Sequence, residues 1–192
     1  MDTIQYYKEN ASEYIRKTQN IDMTNHYEFF LKYLKHGDSI LDIGFGSGRD
    51  SIYFSNNYSV TSIDVVNEFI EHAKSIGLLN VHFQSVQDMM YKNDFNAIWA
   101  CASLLHIKKQ ELNAVFKKCY KALKQNGYMY CSFKYGDYEG EIDGKYYTFL
   151  TENTIKECII NTGFDMIEYV ITDDLLYRET KWLNVILCKK SV

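Results

Sequence analysis

Proline is absent from this chain of 192 residues, so helix ends must be set by capping residues and glycine, not by a ring that blocks the backbone. Cysteine is sparse. Cys101, Cys119, Cys131, Cys158 and Cys188 are odd in number, widely spaced, and never form C-x-x-C. That pattern argues against a disulfide framework and against a zinc site, and reduced, mostly buried thiols point to a cytoplasmic location. No apolar run of 18 residues exists to serve as a membrane span. The opening MDTIQYYKENASEY lacks the apolar stretch of a signal peptide. Basic residues do not exceed acidic ones: 21 Lys and Arg stand against 25 Asp and Glu, for a net charge of −4. A nucleic-acid footprint needs clustered positive charge, so that class of partner is not expected. His26, His36, His72 and His82 have no companion at metal-ligand spacing, and no metal is expected.

Aromatic residues are plentiful: 17 Tyr and 11 Phe. Most belong in the core by their area alone, and some are available to line a pocket, where a tyrosine buries its ring and keeps a polar tip. Apolar runs alternate with amphipathic stretches, the pattern of a parallel sheet with helices on both faces. Residues 3–18 and 22–35 read as leading helices. Strands are expected at 39–43, 59–64, 80–84, 95–101, 128–133, 164–172 and 182–189. Between them fall helices at 49–57, 66–76, 108–124 and 152–162, with Gly77 and Gly163 as stops. No repeat, linker or low-complexity tract interrupts the series, so one domain over 1–192 is expected.

The most informative segment is Leu41-Asp42-Ile43-Gly44-Phe45-Gly46-Ser47-Gly48. A strand ends in it and a helix begins beyond it. Alternate glycines permit a tight turn and remove the Cβ atoms that would keep a ligand away from the backbone. Twenty residues after Gly44, Asp64 closes the second strand, where a carboxylate can accept hydrogen bonds from ribose hydroxyls. Nicotinamide-binding proteins share this layout, but their G-x-G-x-x-G would need a third glycine where Arg49 stands. The acid at Asp42, two residues before the first glycine, suits a ligand carrying an ammonium group.

These residues resemble motif I of the class I S-adenosylmethionine-dependent methyltransferases, and the order of later segments is similar. The resemblance runs from about residue 38 to 134 and more loosely to the C-terminus. It implies a Rossmann-like three-layer α/β sandwich whose seven-stranded sheet is mostly parallel, with an antiparallel C-terminal strand. Residues 37–192 would form that core and 1–36 a helical lid. It implies S-adenosyl-L-methionine as cofactor and S-adenosyl-L-homocysteine as product. Gly44, Gly46 and Gly48 would shape the donor loop, Arg49 would meet the donor's carboxylate, and Asp64 with Val65 would take the ribose. The adenine would lie among Val86, Gln87 and Asp88. Trp99–His106 resembles motif IV, which puts Ala100 against the donor, and Tyr14 would come from the lid. Leu123-Lys-Gln-Asn-Gly127 resembles the family's L-K-P-G-G turn. Asn10-Ala11, Gly46–Asp50, Trp99–His106 and Ser132–Gly136 together resemble small bacterial enzymes of a tellurite-resistance-like subgroup.

Methyl transfer from a sulfonium is an in-line displacement in which the protein positions the acceptor and, where needed, removes a proton. His106, just after the fourth strand, is the candidate general base. Tyr7, Cys101, Lys134 and Tyr146 are candidate acceptor contacts, and residues 136–147 form a loop long enough to cover a pocket. The leading expectation is a methyltransferase for a small-molecule acceptor. The alternatives are an enzyme that modifies protein or RNA, a non-catalytic donor-binding module, and an NAD-linked oxidoreductase. The acceptor atom and the oligomeric state are not legible in the sequence.

Overall fold

The computed structural model describes residues 2–190. Six α-helices and nine strands alternate along it. The order is α1 (Thr3–Thr18), α2 (Thr24–Leu31), β1 (Ser39–Ile43), α3 (Arg49–Ser55), β2 (Ser59–Asp64), α4 (Asn67–Ser75), β3 (Val81–Phe83), β4 (Phe95–Ala100), α5 (Lys109–Ala122), β5 (Leu123–Lys134), β6 (Glu139–Ile142), β7 (Lys145–Thr148), α6 (Glu152–Ile159), β8 (Phe164–Asp173) and β9 (Lys181–Lys189). A single 3-10 turn, Leu104–His106, follows β4.

Seven strands form one sheet in the order β3-β2-β1-β4-β5-β9-β8. All neighbours are parallel except β9, which runs antiparallel between β5 and β8. This is the expected Rossmann-like α/β sandwich, with a mostly parallel seven-stranded sheet and an antiparallel C-terminal strand. The strand order reverses between β1 and β4, and the crevice at the carboxyl ends of those strands is where such sheets take ligands.

Period-two alternation sorts the strand residues into two buried layers. Ile40, Ala97, Trp99, Tyr130 and Ile186 meet Tyr27 and Phe30 of α2 and Phe54 of α3 on one face. Leu41, Ile98, Ala100, Met129, Cys131 and Val185 meet Leu112, Phe116 and Cys119 of α5 and Ile155 of α6 on the other. A third cluster joins Ala11 of α1 to Phe69, Ile70 and Ala73 of α4, which is what seats the first helix over the carboxyl end of the sheet.

Three boundaries differ from the sequence reading. The second helix is the shorter stretch Thr24–Leu31. Leu123–Gly127 is not a turn before a strand but the start of β5 itself, with a register shift opposite Phe95–Ala97. A Cβ at Gly127 would lie 2.9 Å from both the Asn96 and the Lys124 carbonyl oxygens, so the neighbouring strand and the local bend of the backbone together require that glycine. Residues 136–147 are not an irregular loop. Most of them form the β6–β7 hairpin, turned at Asp143-Gly144 with both φ values positive, at +50° and +76°. Paired left-handed residues match the twist of the flanking strands, and Asp-Gly is a favoured pair there.

Candidate active site

The loop leaving β1 is held by backbone geometry that a side chain would spoil. Gly44 has φ +71° and Gly46 φ +53°. A Cβ on Gly44 would stand 2.5 Å from Ser103 Cβ, and one on Gly46 would stand 2.9 Å from the Tyr14 ring. Asp64, at the end of β2, fixes the loop from below. Its Oδ2 accepts from the Gly46 amide and its Oδ1 from the Val66 amide, each at 3.0 Å. Burial pushes the Asp64 carboxyl up to about 6 against those two amide bonds.

Gly44, Gly46, Asp64 and Val65 line a cavity of about 520 Å³. Phe69, Gln84–Gln87, Ala102, Ser103 and Tyr146 complete its wall. Ser103 Oγ is buried there and, among the described residues, makes no hydrogen bond. A carboxylate, an unanswered hydroxyl and bare glycine backbone on one wall fit a nucleoside that carries further polar groups.

A second cavity, about 270 Å³, opens on the other side of α1. Lys134, Lys145, Tyr6, Tyr147, Cys101, Arg178 and Trp182 are on its wall. The two cavities share Tyr7, Tyr14, Ala102 and His106. At this junction Tyr7 Oη lies 2.9 Å from His106 Nε2, and His106 Nδ1 lies 2.7 Å from the Tyr146 carbonyl oxygen. A carbonyl can only accept, so Nδ1 carries the proton and Nε2 accepts from the tyrosine hydroxyl. Burial draws the His106 imidazole down to about 4, opposed in part by the bond to Tyr146. The ring is therefore neutral at physiological pH. Burial also raises the Tyr7 hydroxyl well above its ordinary value.

Gly44, Gly46, Asp64, Val65, Val86, Gln87 and Tyr14 thus stand together on the larger cavity as the sequence reading has them, and Tyr7 stands at the junction. Cys101 and Lys134 stand on the smaller one. Other expected positions move. Asp42 is buried beneath the loop, where it accepts from Ser51 Oγ at 2.6 Å, and it reaches neither cavity; burial and the nearby Asp50 charge push its carboxyl up. Gly48 caps α3 and faces Leu78 and Ile76 instead of the cavity. Arg49 grips Asp50 through Nε and Nη2 at 2.7 and 3.0 Å and reaches the Thr18 carbonyl, so its guanidinium is committed to the protein and lies on the smaller cavity. Asp88 and Ala100 lie on neither wall, and Ala102 with Ser103 take the place assigned to Ala100. Tyr146 faces the larger cavity, and its neighbour Tyr147 faces the smaller one.

Ser103, Tyr147, Lys145 and Tyr6 fall within the motif IV run, the 136–147 loop and the lid, but the sequence assigns none of them a site role of its own. The Asp-Gly turn was the available signal for the hairpin that presents Lys145 and Tyr147. Nothing local marks Ser103, whose role depends on the approach of Gly44 across 59 residues of sequence.

Residues 40–127 match a family model described as a methyltransferase domain. The chain is 25% identical over 173 residues to the phosphoethanolamine N-methyltransferase of Plasmodium falciparum, covering 79% of this chain and 64% of that one. It is 31% identical over 145 residues to phosphoethanolamine N-methyltransferase 3 of Arabidopsis thaliana, covering 66% of this chain and 28% of that one. It therefore spans less than two thirds of these relatives' length. Among solved structures it is similar to the Burkholderia thailandensis 1,6-didemethyltoxoflavin-N1-methyltransferase with bound 1,6-didemethyltoxoflavin and S-adenosylhomocysteine. That match has a TM-score of 0.80 at 17% identity and covers 97% of this chain and 85% of that one. A Methanosarcina mazei S-adenosylmethionine-dependent methyltransferase matches with a TM-score of 0.76 at 19% identity, covering 86% and 99%. At these identities the solved structures speak to the fold.

Proposed function

We propose that this chain, which carries a class I methyltransferase domain over residues 40–127, moves a methyl group from S-adenosyl-L-methionine to a small-molecule acceptor. The observation that carries this reading is the meeting of two cavities at Tyr7, Tyr14, Ala102 and His106, one with a nucleoside-shaped cradle and one without. The smaller volume, about 270 Å³, lies at the low end of pockets that enclose small ligands. The phosphoethanolamine N-methyltransferases are relatives that act on a small molecule.

When bound, the cofactor supplies a methyl on a sulfonium that already leaves readily in an in-line displacement. The chain's own residues do the rest. Gly44 and Gly46 admit the donor to the backbone, Asp64 receives its ribose hydroxyls, and Gln84–Gln87 flank its base. Ser103 Oγ offers the hydrogen bond that the protein leaves unmade. Tyr7 Oη stands where the acceptor enters the junction. His106 does not meet the acceptor directly, because Nε2 already accepts from Tyr7. It positions Tyr7, and a proton leaving the acceptor passes to the Tyr7 oxygen while the Tyr7 hydroxyl proton passes to Nε2, from which the buried imidazolium readily gives it up once the methyl has moved. Catalysis is then mostly positioning. The narrower tellurite-resistance-like resemblance adds metalloid oxyanions to the acceptors worth screening.

Calorimetric titration with S-adenosylhomocysteine and NAD in parallel tests the reading. Saturable binding of the first and none of the second is expected, and the reverse would replace the methyltransferase with an oxidoreductase. Labelled-methyl transfer to an acceptor panel completes the test: donor binding with no transfer to any acceptor would leave a binding module. In the same assay His106→Ala should slow acceptors that must lose a proton and leave anionic thiols nearly unchanged. Equal slowing of both would remove the proton-handling role of the Tyr7–His106 pair.

A further inference from the structure

Two ammonium groups in the smaller cavity face aromatic rings and no carboxylate. Lys134 Nζ lies 4.1 Å from the Tyr147 ring centroid and 5.3 Å from that of Phe149. Lys145 Nζ lies 4.1 Å from the centroid of Tyr6 and 5.9 Å from that of Tyr147. Among the described residues neither forms an ion pair. The other cations there are paired, Lys17 with Glu13 and Arg49 with Asp50, and Arg178 is neutralised: its Nε and Nη2 donate to Asp174 at 3.0 and 2.6 Å, and Trp182 Nε1 donates to the same carboxylate at 2.8 Å. Asp174 is thereby removed as a partner for either lysine. Glu13, on the same wall, pairs with Lys17, and Asp173 is exposed to solvent.

Ring faces attract a cation but do not replace the charge-assisted hydrogen bonds it makes with an oxyanion. Lys134 is half-buried, and burial together with repulsion from Arg178 and Lys145 draws its ammonium below the ordinary lysine range, against the opposing charges of Asp174 and Asp143. Two neighbouring positive groups with no carboxylate at ion-pair distance among the described residues form a site whose electrostatic complement is an anion. The Tyr147 ring spans from this site to the junction, since its centroid is 4.9 Å from that of His106. An anionic group at the lysines would thus leave the rest of a small molecule one ring's width from the reacting point.

We infer that the acceptor carries an oxyanionic group, a phosphoryl or a carboxylate, seated between Lys134 and Lys145 against Tyr147. This deepens the methyltransferase reading and rests on it. Lys134, Lys145 and Tyr147 line the smaller cavity and not the larger one, so they belong to acceptor choice and not to the donor cradle.

The test uses the protein saturated with S-adenosylhomocysteine and four probes of similar bulk: phenyl phosphate, benzoate, benzyl alcohol and benzylamine. One or both anions should bind at least tenfold more tightly than the neutral and cationic probes, and the better of the two identifies the oxyanion. Lys134→Met should erase that preference and Lys134→Arg should keep most of it, with S-adenosylhomocysteine affinity unchanged in both. Benzyl alcohol or benzylamine binding as well as the anions, or an anion preference untouched by Lys134→Met, would overturn the inference. Failure of S-adenosylhomocysteine to bind at the outset would strike the methyltransferase reading instead, so the two failures are distinct.

Discussion

Asp64 carries two duties that pull on the same carboxylate. It holds the Gly46 and Val66 amides, and it is the group placed to receive a ribose. Burial raises it to about 6 from an ordinary 3.8. The folded state therefore favours the neutral acid. That contribution to stability is fully present below about 3.8 and is lost as the pH rises through about 6. Donor binding runs the other way, because the ionised form is the better acceptor for hydroxyl protons. S-adenosylhomocysteine affinity should rise between pH 5 and 7, with a midpoint near 6, and a calorimetric series across that range would show it. Asp64→Ala should weaken binding by about 1–3 kcal/mol and abolish the midpoint. Unchanged affinity in the variant would reject the ribose role. His106 should add no inflection near its ordinary range, since its ring stays neutral down to about 4.

At the scale of elements, the glycine loop and α1 are one device. Gly46 has room only for hydrogen because the Tyr14 ring from α1 rests against it. Gly46→Val must therefore displace that ring and also adopt a left-handed φ that a β-branched residue resists. The expected outcome is loss of measurable S-adenosylhomocysteine binding with the far-ultraviolet circular dichroism of the wild type; a variant that still binds would refute close backbone approach. Both the loop and α1 were legible as elements, the first from its spacing and the second from its pattern. Their contact was not, because nothing in residues 3–18 says which of Tyr6, Tyr7 and Tyr14 will meet residue 46. Arg49 shows the same limit. Beside a glycine loop it reads as a ligand-binding charge, and only the fold reveals that Asp50 holds it, with Tyr27 and Trp99 donating to the same carboxylate at 2.6 and 2.8 Å. Burial works against that Asp50 charge, but Arg49 and those two donors keep its carboxyl below the usual range.

For the whole molecule, stability depends on aromatic packing between α2, α3 and the sheet. Phe30, Phe54, Trp99 and Tyr130 are fully buried in one cluster, and Trp99 stacks on Tyr130 with ring centroids 3.9 Å apart. Phe54→Ala should cost about 3–5 kcal/mol in urea unfolding, since the surrounding rings cannot close over the void. A loss below about 1 kcal/mol would mean that this layer repacks freely. No residue of the cluster lines the larger cavity, so the folded fraction of the variant should bind S-adenosylhomocysteine as the wild type does.

Sequence alone determined the order of the six helices and of the seven strands of the main sheet, and the glycine turn with its distant acid, because each depends on periodicity or spacing within a short stretch of chain; the donor class came from the family resemblance that those residues carry. The tertiary structure decided which charges are free. It buried Asp42 and Arg49 in internal bonds, turned Tyr147 and not Tyr146 toward the smaller cavity, joined Tyr7 to His106 across 99 residues, and left Lys134 without an ion pair among the described residues. The reason is physical: a side chain's residue type fixes what it can bind, but burial and the partners brought by remote segments fix whether that capacity is still available.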